Sequence, residues 1–179
     1  MEHMTFDELL KINCFSDNNL EKAEASNLLE LRYCCEIHCA DMDSSVLFAH
    51  HARGCTIVAA KLCRNVVIYQ NVTIGSNMKY NKAKKEWENI GSPILAENVI
   101  VADGAKVLGP VIIGANTVIA AGAMITKNIP ANSIAYGVNR YKPKDPNYDY
   151  VFNPDMITGE EIMKVDKVRV AEFDKKQSE

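Results

Sequence analysis

The chain has 179 residues and a mass of 19.9 kDa, enough for one substantial domain with a buried core and too few for two full ones. Hydrophobic residues make up 47% and charged residues 24%, and the formal net charge is only -3, so electrostatics gives no reason to expect nucleic acid or an anionic membrane as a partner. No stretch approaches the roughly 20 consecutive apolar residues that span a bilayer, and the opening MEHMTFDELL lacks the basic-then-apolar-then-small order of a secretory signal. A cytoplasmic protein without membrane insertion is the expectation.

Residues 1–35 contain DELLKI and EKAEASNLLELRY, where acidic and Ala/Leu-rich residues recur at helical spacing. Two short helices are expected, the second capped by Asn18 or Asn19. Cysteines stand at positions 14, 34, 35, 39, 55 and 63. In a chain of this size with no export signal they read as reduced, mostly buried thiols rather than a disulfide frame.

A period of six then takes over. It is faint in IHCADM and DSSVLF and weak in TIVAAK from Thr56. It is readable in LCRNVV from Leu62 and IYQNVT from Ile68, which lead into Ile74 and Gly75. SNMKYNKAKKEWENIGSP interrupts it, polar and Lys-rich yet carrying Tyr80 and Trp87. A loop extruded over about 76–94 accounts for this stretch without breaking the repeat, since insertions cost little entropy; its aromatics favour a flap with Trp87 packed beneath it over a neighbouring coil or subunit.

From Leu95 to Pro130 six hexads run without a gap: LAENVI, VADGAK, VLGPVI, IGANTV, IAAGAM, ITKNIP. Neither a strand of period 2 nor a helix of period 3.6 explains a large aliphatic residue at every sixth position. A coil with three flat faces does. Its first-position residue fills the interior, its fifth-position residue shares that space, and Gly104, Gly109, Gly114, Asn116 and Gly122 suit the corners. The fold class is therefore an all-β solenoid, a left-handed parallel β-helix of four to five coils over 36–140. Short N-terminal helices precede it, and a C-terminal tail over 141–179 follows, leaving as an extended segment at Pro143 and Pro146 and including a short strand or helix in MITGEEIMKVDKVRVAEF.

Catalytic candidates are few. Three of the four histidines fall at the start of the prism, in EIHCAD and AHHARG. Counting back by sixes from Leu62 turns His50 inward and His51 outward. A neutral imidazole takes protons near pH 7, and Glu36 or Asp41, one coil upstream, is placed to hold the other ring nitrogen of His51. A zinc site is disfavoured because no His follows His51 and the cysteines lack CxxC spacing. A non-catalytic binding prism is the remaining alternative.

At these residues the chain resembles the hexapeptide-repeat acyltransferases, in their serine acetyltransferase branch. EIHCAD is similar to that branch's Asp-Ile-His-Pro segment, AHHARG to its Asp-His-Ala-Thr-Gly segment, and VADGAKVLGPVIIGANTVIAAGAMITKNIPANSIAYGV to its closing coils. The resemblance implies a homotrimer that moves an acetyl group from acetyl-CoA to the hydroxyl of a small acceptor. It implies His51 as catalytic base and Glu36 as its partner. Gly75, Ala102, Gly104, Ala121 and Gly122 would lie along the cofactor groove, and Lys127, Arg140, Lys142 and Lys144 near the phosphates of CoA. Trp87 and Ser92 would meet the acceptor. Three departures bear on that acceptor: Glu36 replaces an aspartate, Ser92 stands where the branch has a second histidine, and about 35 residues precede the prism in place of a large helical domain. They favour a sugar or sugar nucleotide over serine, with serine O-acetylation as the alternative.

Overall fold

The computed structural model describes residues 1, 3–148 and 159–177. Its first elements are two helices, α1 (Phe6–Phe15) and α2 (Asn19–Tyr33). Thr5 caps α1 by accepting from the amide of Glu8, whose carboxylate in turn accepts from the Thr5 amide at 2.8 Å; two donors left open by the first turn are thereby met. Of the two asparagines offered for α2, Asn18 is the cap, accepting from Leu20 and Glu21. Phe6, Leu9, Ala25 and Leu29 are buried and continuous with the core that follows. The helices thus pack on the first coil instead of enclosing a core of their own.

That coil opens with β1 (Glu36–Met42) and β2 (Leu47–Phe48), and the next with β3 (Thr56–Leu62) and β4 (Val67–Ile68). After β5 (Thr73–Gly75), the strands β6 (Asn77–Asn81) and β7 (Glu86–Gly91) form an antiparallel hairpin standing outside the repeat. The stack resumes with β8 (Ile94–Leu95), β9 (Ile100–Val101), β10 (Lys106–Leu108), β11 (Ile112–Ile113), β12 (Val118–Ile119), β13 (Met124–Ile125) and β14 (Ser133–Tyr136).

Parallel pairing arranges these strands as three faces. One aligns Ile37, Ile57, Ile74, Val107 and Ile125. A second aligns Met42, Leu62, Leu95, Ile113 and Ile129. The third aligns Phe48, Ile68, Val101, Ile119 and Ala135. Leu95, Val101, Val107, Ile113 and Ile119 are all fully buried, as are the fifth-position residues Val99, Ala105, Thr117 and Ala123. Each large aliphatic side chain so placed contributes about 1.5–3 kcal/mol, and stacking alone makes the burial possible.

The corners explain the polar half of the repeat. Between the second and third faces, Asn65, Asn98, Asn116 and Asn132 all adopt left-handed φ of 55–58°. Their side chains form a ladder from coil to coil, at 3.0, 2.9 and 3.1 Å. Asn is tolerated in this conformation and its amide pairs with the next one. Gly114 lies at the same edge for another reason: an added Cβ would come within 2.3 Å of the Ala131 amide nitrogen. Its φ is not in the left-handed region, so close approach is what excludes a side chain there.

Within the solenoid, two expectations need correction. His50 does not point inward; it is exposed, and Ala49 and Ala52 fill the space beneath. Residues between Phe48 and Ile57 make an enlarged corner with a short 3-10 turn at Ala49–Ala52, whereas the same passage from Ile68 to Ile74 is a plain hexad, so counting by sixes breaks here. The 76–94 excursion is a hairpin, and within the chain Trp87 is not packed beneath it: the indole is 66% exposed, edge-on to Tyr80 at 5.5 Å.

After the solenoid, β15 (Arg140–Pro143) folds back antiparallel on β14. Pro143 is thus the end of an added strand and not part of a segment leaving the prism. Helix α3 (Gly159–Gln177) is the helical of the two forms allowed for the tail, and its described side chains are exposed. No helix among the described residues is long and apolar enough to cross a membrane.

Candidate functional site

His51 belongs to the enlarged corner between the third face and the first. His50, His51 and Ala52 have successive φ values of 53°, 55° and 52°, left-handed conformations that cost non-glycine residues of order 1 kcal/mol each. Such a run is held by its surroundings. The amide of Gly54 donates to the carbonyl of Cys34 at 3.0 Å and that of Asn71 to the carbonyl of Arg53 at 2.8 Å. The His51 ring lies 5.4 Å from Phe6 and 5.6 Å from Tyr33, and Phe6 also meets Phe48 and Tyr33 edge-on. The N-terminal helices therefore brace the imidazole while leaving it exposed.

The corner continues upward as one column. Gly104 donates to the carbonyl of Gln70 at 3.2 Å, Gly122 to that of Asp103 at 2.8 Å, and Ala102 to that of Ile119 at 2.9 Å. Ala102, Gly104, Ala121 and Gly122 are thereby brought together on adjacent coils above the His51 turn. Gly104 and Gly122 have φ of 68° and 67°, and a Cβ at Gly122 would meet nothing within 4 Å. These positions need glycine for the turn and leave open space outside it.

Other predicted residues lie elsewhere. Gly75 ends β5 at the corner between the first and second faces, where it accepts from the amide of Gly109 at 2.8 Å, and the β6–β7 hairpin carrying Trp87 leaves from it. Ser92 follows that hairpin and lines a groove of about 860 Å³ with residues of α1, α2, β1 and β3, among them Lys22, His38 and Cys39. His51 is not on that groove's lining. Lys127 is exposed at the Gly75 corner, after β13. Arg140 and Lys142 are exposed on β15, and Lys144 lines a separate recess with Asn116 and Asn132. Within one chain the four cations do not converge on the Gly104 column.

Glu36 has its carboxylate 3.3 Å from Nε2 of His38, with both side chains about half exposed. Asp41, the other carboxylate considered, is engaged by Lys61 at 2.6 Å. His51 lines a smaller cleft of about 350 Å³ with His50, Arg53 and Gln70. Sequence reasoning missed Arg53, Gln70, Phe6 and Tyr33. Phe6 and Tyr33 reach His51 through tertiary contact, for which no local signal exists; Arg53 sits in AHHARG beside the histidines and was within reach of the same motif.

All six cysteines are free, with Cys35 and Cys55 buried, Cys34 exposed and the others between. Burial pushes the Cys35 thiol up to about 12 and the Cys14 thiol up to about 11, which suppresses thiolate chemistry at neutral pH. Among the described residues no group of three or more His, Cys, Asp or Glu side chains is placed to hold a metal.

Comparison with known proteins bears on this geometry. Residues 92–127 match the family described as bacterial transferase hexapeptide, six repeats. A serine acetyltransferase from Staphylococcus xylosus is 36% identical over 106 residues, 58% of this chain and 45% of that protein. A serine acetyltransferase structure in complex with cysteine aligns with a TM-score of 0.62 at 22% identity, over 79% of this chain and 53% of the other. One in complex with CoA aligns at 0.54 and 22%, over 68% and 48%. At this identity the structural likeness is one of fold. The chain spans about half the length of these relatives.

Proposed function

We propose, from the premise that this chain belongs to the hexapeptide-repeat β-solenoid acyltransferases closely related to serine acetyltransferase, that it transfers an acetyl group from acetyl-CoA to the hydroxyl of a small acceptor. The observation that supports this best is the corner column: an exposed histidine braced by Phe6 and Tyr33, continuous through backbone hydrogen bonds with the open positions Gly104 and Gly122.

In the reaction His51 takes the proton of the acceptor hydroxyl as its oxygen adds to the thioester carbonyl. The same imidazolium then returns a proton to the departing thiolate, so no covalent enzyme intermediate is needed. Glu36 stabilises the imidazolium once its carboxylate turns from His38, an exposed pairing that is cheap to give up. Ala102, Gly104, Ala121 and Gly122 leave the groove clear for the pantetheine arm, and a corner amide facing it receives the developing oxyanion. A likeness to a fold relative solved with CoA is in keeping with this donor.

His51 and Ser92 line different cavities of one chain. A trimer, in which the His51 corner of one subunit meets the hairpin corner of the next, unites them and gives the exposed Trp87 a partner surface. Lys127, Arg140, Lys142 and Lys144 then supply cations around the CoA phosphates.

For the acceptor, the similarity favours serine over a sugar, because the relatives reported above are serine acetyltransferases. A sugar or sugar nucleotide is the second reading, and it rests on Ser92 replacing the branch's second histidine. Thiol release from acetyl-CoA, measured with L-serine and with a set of sugars and sugar nucleotides, separates them. Turnover with serine alone supports the first. Release with no hydroxyl compound contradicts both.

A further inference from the structure

The cleft beside His51 contains two unused polar groups. Gln70 Oε1 is buried and has no hydrogen-bond partner. A buried carbonyl left in that state is costly, so a site of this kind calls for a donor from outside the chain. Arg53 is exposed on the same cleft, and among the described residues no carboxylate lies within ion-pair distance of its guanidinium. The nearest elements explain this isolation. Glu36 is engaged by His38, and Asp103, one coil above, accepts from the Asn71 side chain at 3.0 Å.

His50 and His51 complete the lining, so no carboxylate faces the cleft. An anion is therefore attracted and a cation is not. Arginine is suited to the role because its planar fork meets a carboxylate or phosphate through two N–H donors. The turn holding these groups also has three successive left-handed residues immediately before Arg53, a run no other non-glycine residues repeat among the described residues. Such a turn fixes the direction in which Arg53 leaves the backbone relative to His51.

We propose that Arg53 and Gln70 form an acceptor subsite for an anionic hydroxyl compound, Arg53 binding its carboxylate or phosphate and Gln70 Oε1 accepting from one of its hydroxyl or N–H groups. This rests on the acyl-transfer reading above and narrows it. Neutral sugars lack the group that Arg53 engages, whereas serine, hydroxy acids, uronic acids and sugar phosphates have it.

Matched acceptor pairs test the subsite. Acetyl-CoA thiol release is measured with L-serine against L-serinamide, with glycerate against glycerol, and with glucose 6-phosphate against glucose. The wild type favours the anionic member of whichever pair it accepts. In Arg53→Gln that preference, as a ratio of kcat/KM values, falls about ten- to a hundredfold; Arg53→Lys restores part of it. Gln70→Leu raises the acceptor KM. The serine and glycerate pairs identify a carboxylate ligand and the glucose pair a phosphate. An unchanged ratio in Arg53→Gln overturns the proposal, as does a wild type indifferent to charge. If no acceptor is turned over, calorimetric titration with serine, glycerate and glucose 6-phosphate still decides: binding lost in Arg53→Gln upholds the subsite while the acyl-transfer reading fails, and binding absent or unaltered overturns the subsite too.

Discussion

The carboxylate of Glu36 lies 3.3 Å from Nε2 of His38, two residues along the same strand, while His51 is braced by Phe6 and Tyr33. A polar contact with both partners about half exposed contributes less than about 1 kcal/mol. On the proposed mechanism Glu36 gives up this contact at little cost when it turns to His51. His38→Ala should lower kcat by no more than about threefold, the effect of so weak a contact, whereas Glu36→Gln should lower it at least about tenfold by removing the charge that stabilises the imidazolium. The reverse ranking would make His38 the histidine that Glu36 supports.

Asn98 both donates to Asn116 at 2.9 Å and accepts from Asn65 at 3.0 Å, at a φ of 58°. Asn98→Gly removes the two side-chain bonds and keeps the backbone at ease. Asn98→Ala removes them and adds the penalty of a left-handed Cβ, so it should be less stable than the glycine variant by about 1 kcal/mol. Denaturant midpoints of the two variants check this; equal midpoints would mean that the ladder, not the backbone conformation, is what selects Asn.

Gly122 has open space beyond its Cα and a φ of 67°. Gly122→Val places a branched side chain where the thioester arm is expected. The KM for acetyl-CoA should rise by about tenfold or more, as for a contact of 1.4 kcal/mol or more lost from one ligand, with a fall in thermal midpoint from the strained φ. A fall in midpoint with an unchanged donor KM would remove Gly122 from the groove.

The regular part of this fold could be read from the sequence because a single rule governs it: each hexad places one aliphatic residue inside, and Leu95 through Ile119 obey it without exception. Reading failed where the coil departs from that rule. The corner after Phe48 is longer than a hexad, so the inward phase assigned to His50 was lost. Only five positions separate Ile57 from Leu62 on β3, which is why TIVAAK fits poorly. Trp87 was expected to pack beneath its flap because of its residue type, yet the hairpin stands outside the repeat and leaves the indole exposed beside Tyr80. The catalytic candidates were legible as a motif, whereas the aromatic brace around His51 was not, since Phe6 is 45 positions away and meets it only in the folded chain.

Cysteine reactivity gives a check on the first coil. Burial raises the Cys35 thiol from 9.0 to about 12, so folding favours its protonated form. The stabilisation is complete below pH 9.0 and is lost as pH rises through about 12. Cys34 is exposed and Cys35 is not. At neutral pH an alkylating reagent should modify Cys34 first and reach Cys35 only on unfolding, with peptide mass mapping as the readout. Equal rates at the two neighbours would place the α2–β1 junction differently.

The most direct test of acetyl transfer through the corner histidine is acceptor-dependent thiol release from acetyl-CoA in the wild type and in His51→Ala, both checked for the same thermal midpoint. Removal of a general base should lower kcat by about a hundred- to ten-thousandfold, with the KM for acetyl-CoA little changed. Equal kcat in the two proteins would contradict the account.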